Sequence, residues 1–305
     1  MAKATPSRAL ISFLFSGRLE ILIRSLDAAF AQEYAPFSVL VADCLPSGQF
    51  ESIIKSRFPG LIYIKTSADT GIASGRNFAM GHYLSMDCDY IFLLDDDILL
   101  ERDCLARLVS AMQDDPSLGL AAPLILNEDG SALSAGGTYN HVFGQPFLLK
   151  KADVADCPLD FASGAIGLFR KETLVRVGPF DTAFDPYGFE DVDYGLRVKS
   201  KGYRVGLAPE AACRHLTDYS FHREREFYLY HTTRGRLLCA YKHAGLFLFV
   251  FAAFPWILLR RVVFPVMKFF AQGKAHLSRA VARGFMDAAG DILKGGNAFS
   301  RAFKG

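Results

Sequence analysis

Three successive aspartates, Asp95, Asp96 and Asp97, follow the apolar run DYIFLL. Side by side they repel one another, and apolar neighbours make their desolvation worse. The cluster is tolerable if a cation, a set of donors or water meets it. A divalent cation bound to a diphosphate answers that need directly. Mg2+ or Mn2+ prefers oxygen ligands and commonly takes one or two carboxylates, with phosphate and water completing the shell. Asp95 and Asp97 lie on one side of an extended chain and can address one ion; Asp96 points elsewhere, to a ribose hydroxyl or a backbone group. The plainer alternative is a solvated turn whose aspartates cap a helix opening at Arg102.

A second acidic cluster, Glu190, Asp191 and Asp193, stands in GFEDVDYGLRVKSKGY. Acids in a first helical turn suit capping and the helix dipole, so stability alone explains them as well as a catalytic base does. At helical spacing Glu190, Tyr194 and Arg197 share a face, which predicts a carboxylate paired with Arg197 while Asp191 looks into a cleft, kept ionised by the dipole. His215, after the last strand, is either a structural histidine or a metal ligand.

The elements that must position these residues alternate. RALISFLF, FSVLVAD, LIYIKT, DYIFLLD and LGLAAPLIL read as strands. Between them GRLEILIRSLDAAFAQ, ESIIKSRF, ASGRNFAMGHYL and RDCLARLVSAMQDD have helical spacing. Short connections between such elements predict an α/β fold, a mostly parallel sheet with helices on both faces. Ligands of such sheets gather beyond the carboxyl ends of the strands, where Asp43 and Asp95 to Asp97 fall. Residues 130–188 read as loops and short strands, followed by a helix from about Phe189 to Lys201 and a strand YRVGLAP.

With 305 residues and 51% hydrophobic content the chain can bury a full core, which excludes global disorder. Six scattered cysteines (44, 88, 104, 157, 213, 239) without paired spacing argue against structural zinc or a disulfide framework and for a reducing cytosol. The short apolar run after MAKATPSR lacks a small-residue cleavage site and reads as a core strand rather than a leader.

Taken in order, FLFSGR, VLVADCLPSG, TGIASGRNFAM, YIFLLDDD, the stretch DFASGAIGLFRKETLVRVGPFDTAFDPYGFEDVDYGLRVKSKGYRVGLAPEAACRH and YLYHTTRGRLL resemble the family 2 glycosyltransferases of the GT-A fold. The resemblance is to the bacterial rhamnosyltransferase-like, cell-surface glycan type and covers about residues 8 to 240. It implies a nucleotide-sugar donor (UDP-, dTDP- or GDP-linked), Mn2+ or Mg2+, and inverting transfer to a hydroxyl of a glycan or lipid-linked acceptor. Asp43 would bind the base, and Ser16, Arg76 and Asn77 would lie along the nucleotide pocket. Asp95 and Asp97 would hold the metal-bound donor, with Asp96 near the ribose and His215 completing the metal site. Ser163, Gly164 and Glu190 would shape the donor-sugar pocket. Asp191 would be the general base. Arg223, Arg225, Arg234 and Arg236 are candidates to add charge near the diphosphate. Two loops depart from the family: Ser16-Gly17-Arg18 replaces a Tyr-Asn type pair, and Asp43-Cys44-Leu45-Pro46-Ser47 an Asp-Asn-Gly-Ser type turn. Base identity is therefore open. The rival readings are a haloacid-dehalogenase-type phosphotransferase with Asp95 as nucleophile, and a non-catalytic membrane-bound glycan-binding scaffold.

Residues 1–220 are thus expected to form the catalytic domain and 221–305 a helical region. From Arg260 onward nine Lys/Arg face only Asp287 and Asp291, so this end carries +7 of a formal +2 and the preceding residues −5. LFLFVFAAFPWILL, residues 246–259, is shorter than the ~20 residues of a spanning helix, and Arg260-Arg261 interrupts the run. That pattern predicts a helix lying in the membrane interface against anionic headgroups, on the cytoplasmic side, peripheral or monotopic. The alternative is a helix packed on the body or in a homodimer interface. A basic tail also suits nucleic acid, but no recognition motif accompanies it.

Overall fold

The computed structural model describes residues 7–45, 47–150, 158–216 and 225–294. Pro46, Cys157, Arg223, Arg301 and Lys304, all singled out above, lie outside them. The chain divides into two compact units: residues 1–138, 148–186 and 190–218, and residues 139–147, 187–189 and 219–305.

The first unit is built on a nine-stranded sheet. Its strands are β1 (Ala9–Phe15), β2 (Phe37–Asp43), β3 (Ile62–Lys65), β4 (Tyr90–Asp95), β5 (Ile98–Leu100), β6 (Leu118–Leu126), β7 (Ala132–Ser134), β10 (Gly167–Arg170) and β11 (Arg204–His215), while β8 (Gly137–Asn140) and β9 (Gln145–Leu148) pair separately. The unit's helices are α1 (Leu19–Phe30), α2 (Glu51–Arg57), α3 (Ile72–Leu84), α4 (Cys104–Asp114), α5 (Lys171–Val177) and α6 (Glu190–Ser200). The strand order is β3-β2-β1-β4-β10-β6-β11-β5, with β7 on β6. The run β3-β2-β1-β4 and the pair β6-β11 are parallel; β10 runs against both its neighbours, and β5 against β11. The sheet is therefore mixed. Its carboxyl-end register places Phe15 opposite Asp43 and Leu14 opposite Asp95, so Asp43 and Asp95 reach the same edge.

Strand pleating sorts the core into two layers. Ile11, Phe13 and Phe15 of β1 and Phe92 and Leu94 of β4 pack with Leu22 and Leu26 of α1 (Leu19–Phe30) and Leu105 and Leu108 of α4 (Cys104–Asp114). Leu10, Ile91 and Leu93 face the opposite way, onto Ala73, Met80 and Tyr83 of α3 (Ile72–Leu84). The row Ile91-Leu93 thus continues into Asp95 on the α3 side, and Asp96 turns toward α1. One alternation sends neighbouring carboxylates to different partners.

Three expectations change here. No helix opens at Arg102: Ile98–Leu100 is a short strand paired with β11, and the helix begins at Cys104. The last strand does not stop before His215; after an irregularity between Ala208 and Ala212 it continues through it, pairing His215 with Ile98. The apolar stretch does not break at Arg260-Arg261 either.

In the second unit that stretch is one helix from Leu246 to Ala271, of a length and composition able to cross a membrane. Arginine is a good helix former, so the pair turns the surface basic without ending the helix. Pro255 and Pro265 are accommodated by wider i→i+5 turns over Phe249–Ala253 and Leu258–Val263, which absorb the missing N–H and the ring. Leu246, Phe247, Phe251, Phe264 and Phe270 are exposed along it. Helix α7 (Glu226–His243) packs along the last helix, Ala275–Leu293, through Tyr230 to Asp287 at 2.6 Å and Arg234 to Asp291 at 2.8 Å.

Candidate active site

The three aspartates are each met, and mainly by arginines. On the α3 side, Arg76 is buried on the helix's apolar face and donates to Glu190 Oε1 at 2.8 Å, Asp95 Oδ1 at 3.0 Å and the Gly164 carbonyl at 2.5 Å. Glu190 and Asp191 open α6 (Glu190–Ser200). Gly164 sits at φ +60°, a conformation glycine adopts freely, in the turn Ser163–Ala165. Its N–H donates to Asp191 Oδ2 at 2.8 Å, and the Val192 N–H donates to Oδ1 at 2.8 Å. Ser163 precedes it, partly buried. One network therefore joins the end of β4, α3, this turn and the start of α6.

On the α1 side, Ser16 donates to Asp96 Oδ2 from both its N–H (3.0 Å) and its hydroxyl (2.8 Å). The Arg18 guanidinium lies across Asp96 and Asp97, reaching Asp97 Oδ2 at 2.8 Å. His215 Nε2 is 3.5 Å from Asp97 Oδ1, both residues being buried. The Leu216 N–H donates to the Asp97 carbonyl at 3.0 Å, which fixes β11 beside this turn.

Two predicted nucleotide residues are hydrogen-bonded within the protein. Asp43 is buried, accepting the Leu45 N–H at 2.9 Å on one oxygen and the Tyr63 hydroxyl on the other. Asn77 clamps the Phe180 backbone, donating to its carbonyl at 2.8 Å and accepting its N–H at 2.7 Å. Arg197 pairs not with Glu190 but with Asp193, at 2.8 Å and four residues away, and the cation on Glu190 is Arg76. The dipole does not settle Asp191 either. Burial pushes its carboxyl above the usual range, against the Gly164 and Val192 N–H groups and Arg76. Burial also raises Glu190, to about 7, with the charge of Asp191 adding to it and Arg76 opposing. Asp96 is raised by burial against the pull of Arg18 and Ser16. For Arg76 burial works against the charged form, but Asp95, Glu190 and Asp191 outweigh it and hold the pKa above the usual value.

Arg18 and Asp185 are the residues that the sequence reading did not place. Asp185 accepts the N–H groups of Ala73 (2.8 Å) and Ser74 (3.2 Å) at the start of α3, and a Cβ on Gly71 would collide with it, so that end of the helix carrying Arg76 is tied down. Among the described residues no three His, Cys, Asp or Glu side chains gather as a closed metal cage. Asp97 and His215 nonetheless present an oxygen and an imidazole nitrogen side by side. Such a pair fits a cation whose remaining ligands are phosphate and water.

The chain matches the family described as glycosyltransferase like family 2 over residues 16–239. It is 29% identical over 129 residues to the poly-beta-1,6-N-acetyl-D-glucosamine synthase of Staphylococcus aureus (strain COL), covering 41% of this chain and 30% of that protein. It is 26% identical over 205 residues to the galactofuranosyltransferase GlfT1 of Mycolicibacterium smegmatis, covering 65% of this chain and 67% of that one. Among solved structures, GalNAc-T7 with UDP, GalNAc and Mn2+ superposes with a TM-score of 0.62 at 11% identity, covering 96% of this chain and 58% of that chain. The mannosyltransferase PcManGT of Pyrobaculum calidifontis, with GDP-Man and Mn2+, gives 0.55 at 17%, covering 97% and 81%. At such identities the likeness is one of fold, and that fold is GT-A. With a family match that includes both aspartate clusters, Arg76, Gly164 and His215, the chain belongs to the family 2 glycosyltransferases.

Proposed function

We propose that the protein is an inverting, metal-dependent glycosyltransferase that moves a sugar from a nucleotide-sugar donor to a hydroxyl of a glycan or lipid-linked acceptor, at the cytoplasmic face of a membrane, in cell-surface polysaccharide assembly. The observation that carries the reading is the single network in which Arg76 grips Asp95 and Glu190 while Gly164 ties that grip to Asp191. It holds the base and the diphosphate-side aspartate in one fixed relation. The relatives named for polysaccharide synthesis and galactofuranosyl transfer, and the solved relatives with UDP or GDP-Man and Mn2+, support the same chemistry.

In this reading Asp191 takes the proton of the acceptor hydroxyl. A carboxylate has about four lone-pair sites, so two remain after Gly164 and Val192 are served. The acceptor oxygen bonds to the anomeric carbon as the bond to the diphosphate breaks on the opposite face, which inverts the centre. Of the expected metal ligands Asp95, Asp97 and His215, Asp97 and His215 would hold the metal, because Asp95 is instead taken up by Arg76 on the α3 side; the metal would supply neutralisation of charge on the departing diphosphate. Asp96 and Ser16 sit at the ribose, and Asp43 with Tyr63 frames the base end. Arg18 has to leave Asp96 and Asp97 as donor arrives, and its half-exposed side chain leaves it room to swing. The exposed apolar helix supports a membrane-held acceptor. The test is the anomeric configuration of the transferred sugar by proton NMR: the product is expected to be inverted relative to the donor, and a retained configuration contradicts the role of Asp191.

The acidic pair also sets a pH dependence. A carboxyl whose folded pKa is raised stabilises the fold fully below its unfolded value and loses that contribution as pH rises through the folded one, here from about 4.5 to about 7 for Glu190. A base needs the opposite, ionised form, and burial raises the Asp191 carboxyl, so the rate is expected to fall on the acid side at a pH above the ordinary aspartate range. Glu190→Gln removes a like charge beside Asp191, and the acid limb of kcat/KM should move to lower pH. A limb that stays in place or moves upward separates the two carboxylates.

A further inference from the structure

In the second unit two arginines converge on one uncharged oxygen. Arg236 of α7 donates to Gln145 Oε1 at 2.8 Å, and Arg261 of the apolar helix donates to the same atom from Nε at 3.1 Å and from an Nη at 2.7 Å. The Gln145 amide is oriented by its own Nε2, which donates to the Pro146 carbonyl at 2.7 Å. A carbonyl oxygen has two lone pairs, so three N–H donors oversubscribe it. Among the described residues no carboxylate touches either guanidinium. Arg236 otherwise rests over the Phe189 ring at 5.1 Å. Burial and the charge of Arg261 push its pKa down to about 10. Two close cations with a neutral acceptor between them lack an anion.

The surroundings of Arg261 say what kind. Its neighbours Leu259, Val263 and Phe264 are exposed apolar side chains, and Arg260 lies beside it over the Trp256 ring at 5.5 Å. An anionic group with hydrocarbon attached suits that surface, and a guanidinium pair matches a phosphate through charge-assisted, forked hydrogen bonds. We infer that Arg236, Arg261 and Gln145 form a binding site for the phosphate headgroup of a lipid, whose chains lie along the apolar helix. The inference rests on the membrane-facing reading of that helix and is independent of the donor site.

Trp256 is the only tryptophan and reports on the site. The intact protein is titrated with soluble short-chain phosphatidic acid, with short-chain phosphatidylcholine and with inorganic phosphate, following Trp256 fluorescence. Sedimentation with long-chain phosphatidylcholine vesicles, with and without phosphatidic acid, runs in parallel. Wild type is expected to bind phosphatidic acid saturably, at least tenfold tighter than phosphatidylcholine or free phosphate. Arg261→Gln, at an exposed position, should lose that preference. Gln145→Glu should lose it too while raising Tm, because an internal carboxylate then supplies the missing anion. Binding that ignores both substitutions overturns the site, as does free phosphate or a nucleoside diphosphate binding as tightly as the lipid. Sedimentation with neutral vesicles equal in wild type and variants, without a phosphatidic acid preference, keeps the membrane reading and rejects the site. Arginine-dependent binding of the soluble lipid without any sedimentation does the reverse.

Discussion

Asp191→Asn is expected to abolish transfer while leaving nucleotide-sugar binding intact. Asparagine keeps the shape of the side chain but cannot accept the acceptor's proton, and losing a general base costs about a hundred- to ten-thousand-fold in kcat. Its amide also has one acceptor oxygen where the carboxylate offers two to the Gly164 and Val192 N–H groups. One of these bonds is lost, and a drop in stability of about 1 kcal/mol should accompany the kinetic effect. Donor affinity measured by calorimetry and turnover by product release separate the two consequences. A variant that binds donor and still turns over within a few-fold of wild type removes Asp191 from the chemistry.

Arg76→Met is the change expected to harm the fold most. The guanidinium is the buried cation for Asp95 and Glu190, and deleting one partner of a buried ion pair costs about 3–5 kcal/mol because the other charge stays behind. The loss should be largest above neutral pH. At lower pH Glu190 takes up a proton and no longer needs the cation, so the penalty shrinks. Urea denaturation at pH 5 and pH 8 reads this out directly. A loss under about 1 kcal/mol at both values would mean that the acidic pair is solvated rather than held.

The alternation of β4 was visible in the sequence, and with it the delivery of three aspartates to a strand's carboxyl end. The partners of those aspartates were not. Arg18 meets Asp96 and Asp97 from almost eighty residues away, and its one local trace is that Ser16-Gly17-Arg18 departs from the family's usual pair. Helical spacing offers Arg197 both Asp193, one turn back, and Glu190, two turns back; the nearer acid takes it, and Arg76 on the apolar face of α3 takes the other. An arginine inside an otherwise apolar helical stripe was the available sign. Ile98–Leu100 is too short to announce itself as a strand, since it exists through its pairing with β11. Asp185 anchors α3 across 112 residues of chain, a contact that no local pattern encodes. Paired arginines suggested an end to the apolar helix, yet arginine is a good helix former, and the wider turns at Phe249–Ala253 and Leu258–Val263 take up the two prolines.

In the proposed function the aspartate turn and His215 hold a metal-bound sugar nucleotide. The most direct test is calorimetric titration of nucleoside diphosphates and their sugars, with and without Mn2+ or Mg2+, into wild type and Asp97→Ala, with circular dichroism confirming that both are folded. Wild type is expected to bind one nucleotide in a metal-dependent way, with binding weakened at least tenfold in Asp97→Ala. Folded wild type that binds no nucleotide, or binds one equally well without metal and without the Asp97 carboxylate, would contradict the proposed function.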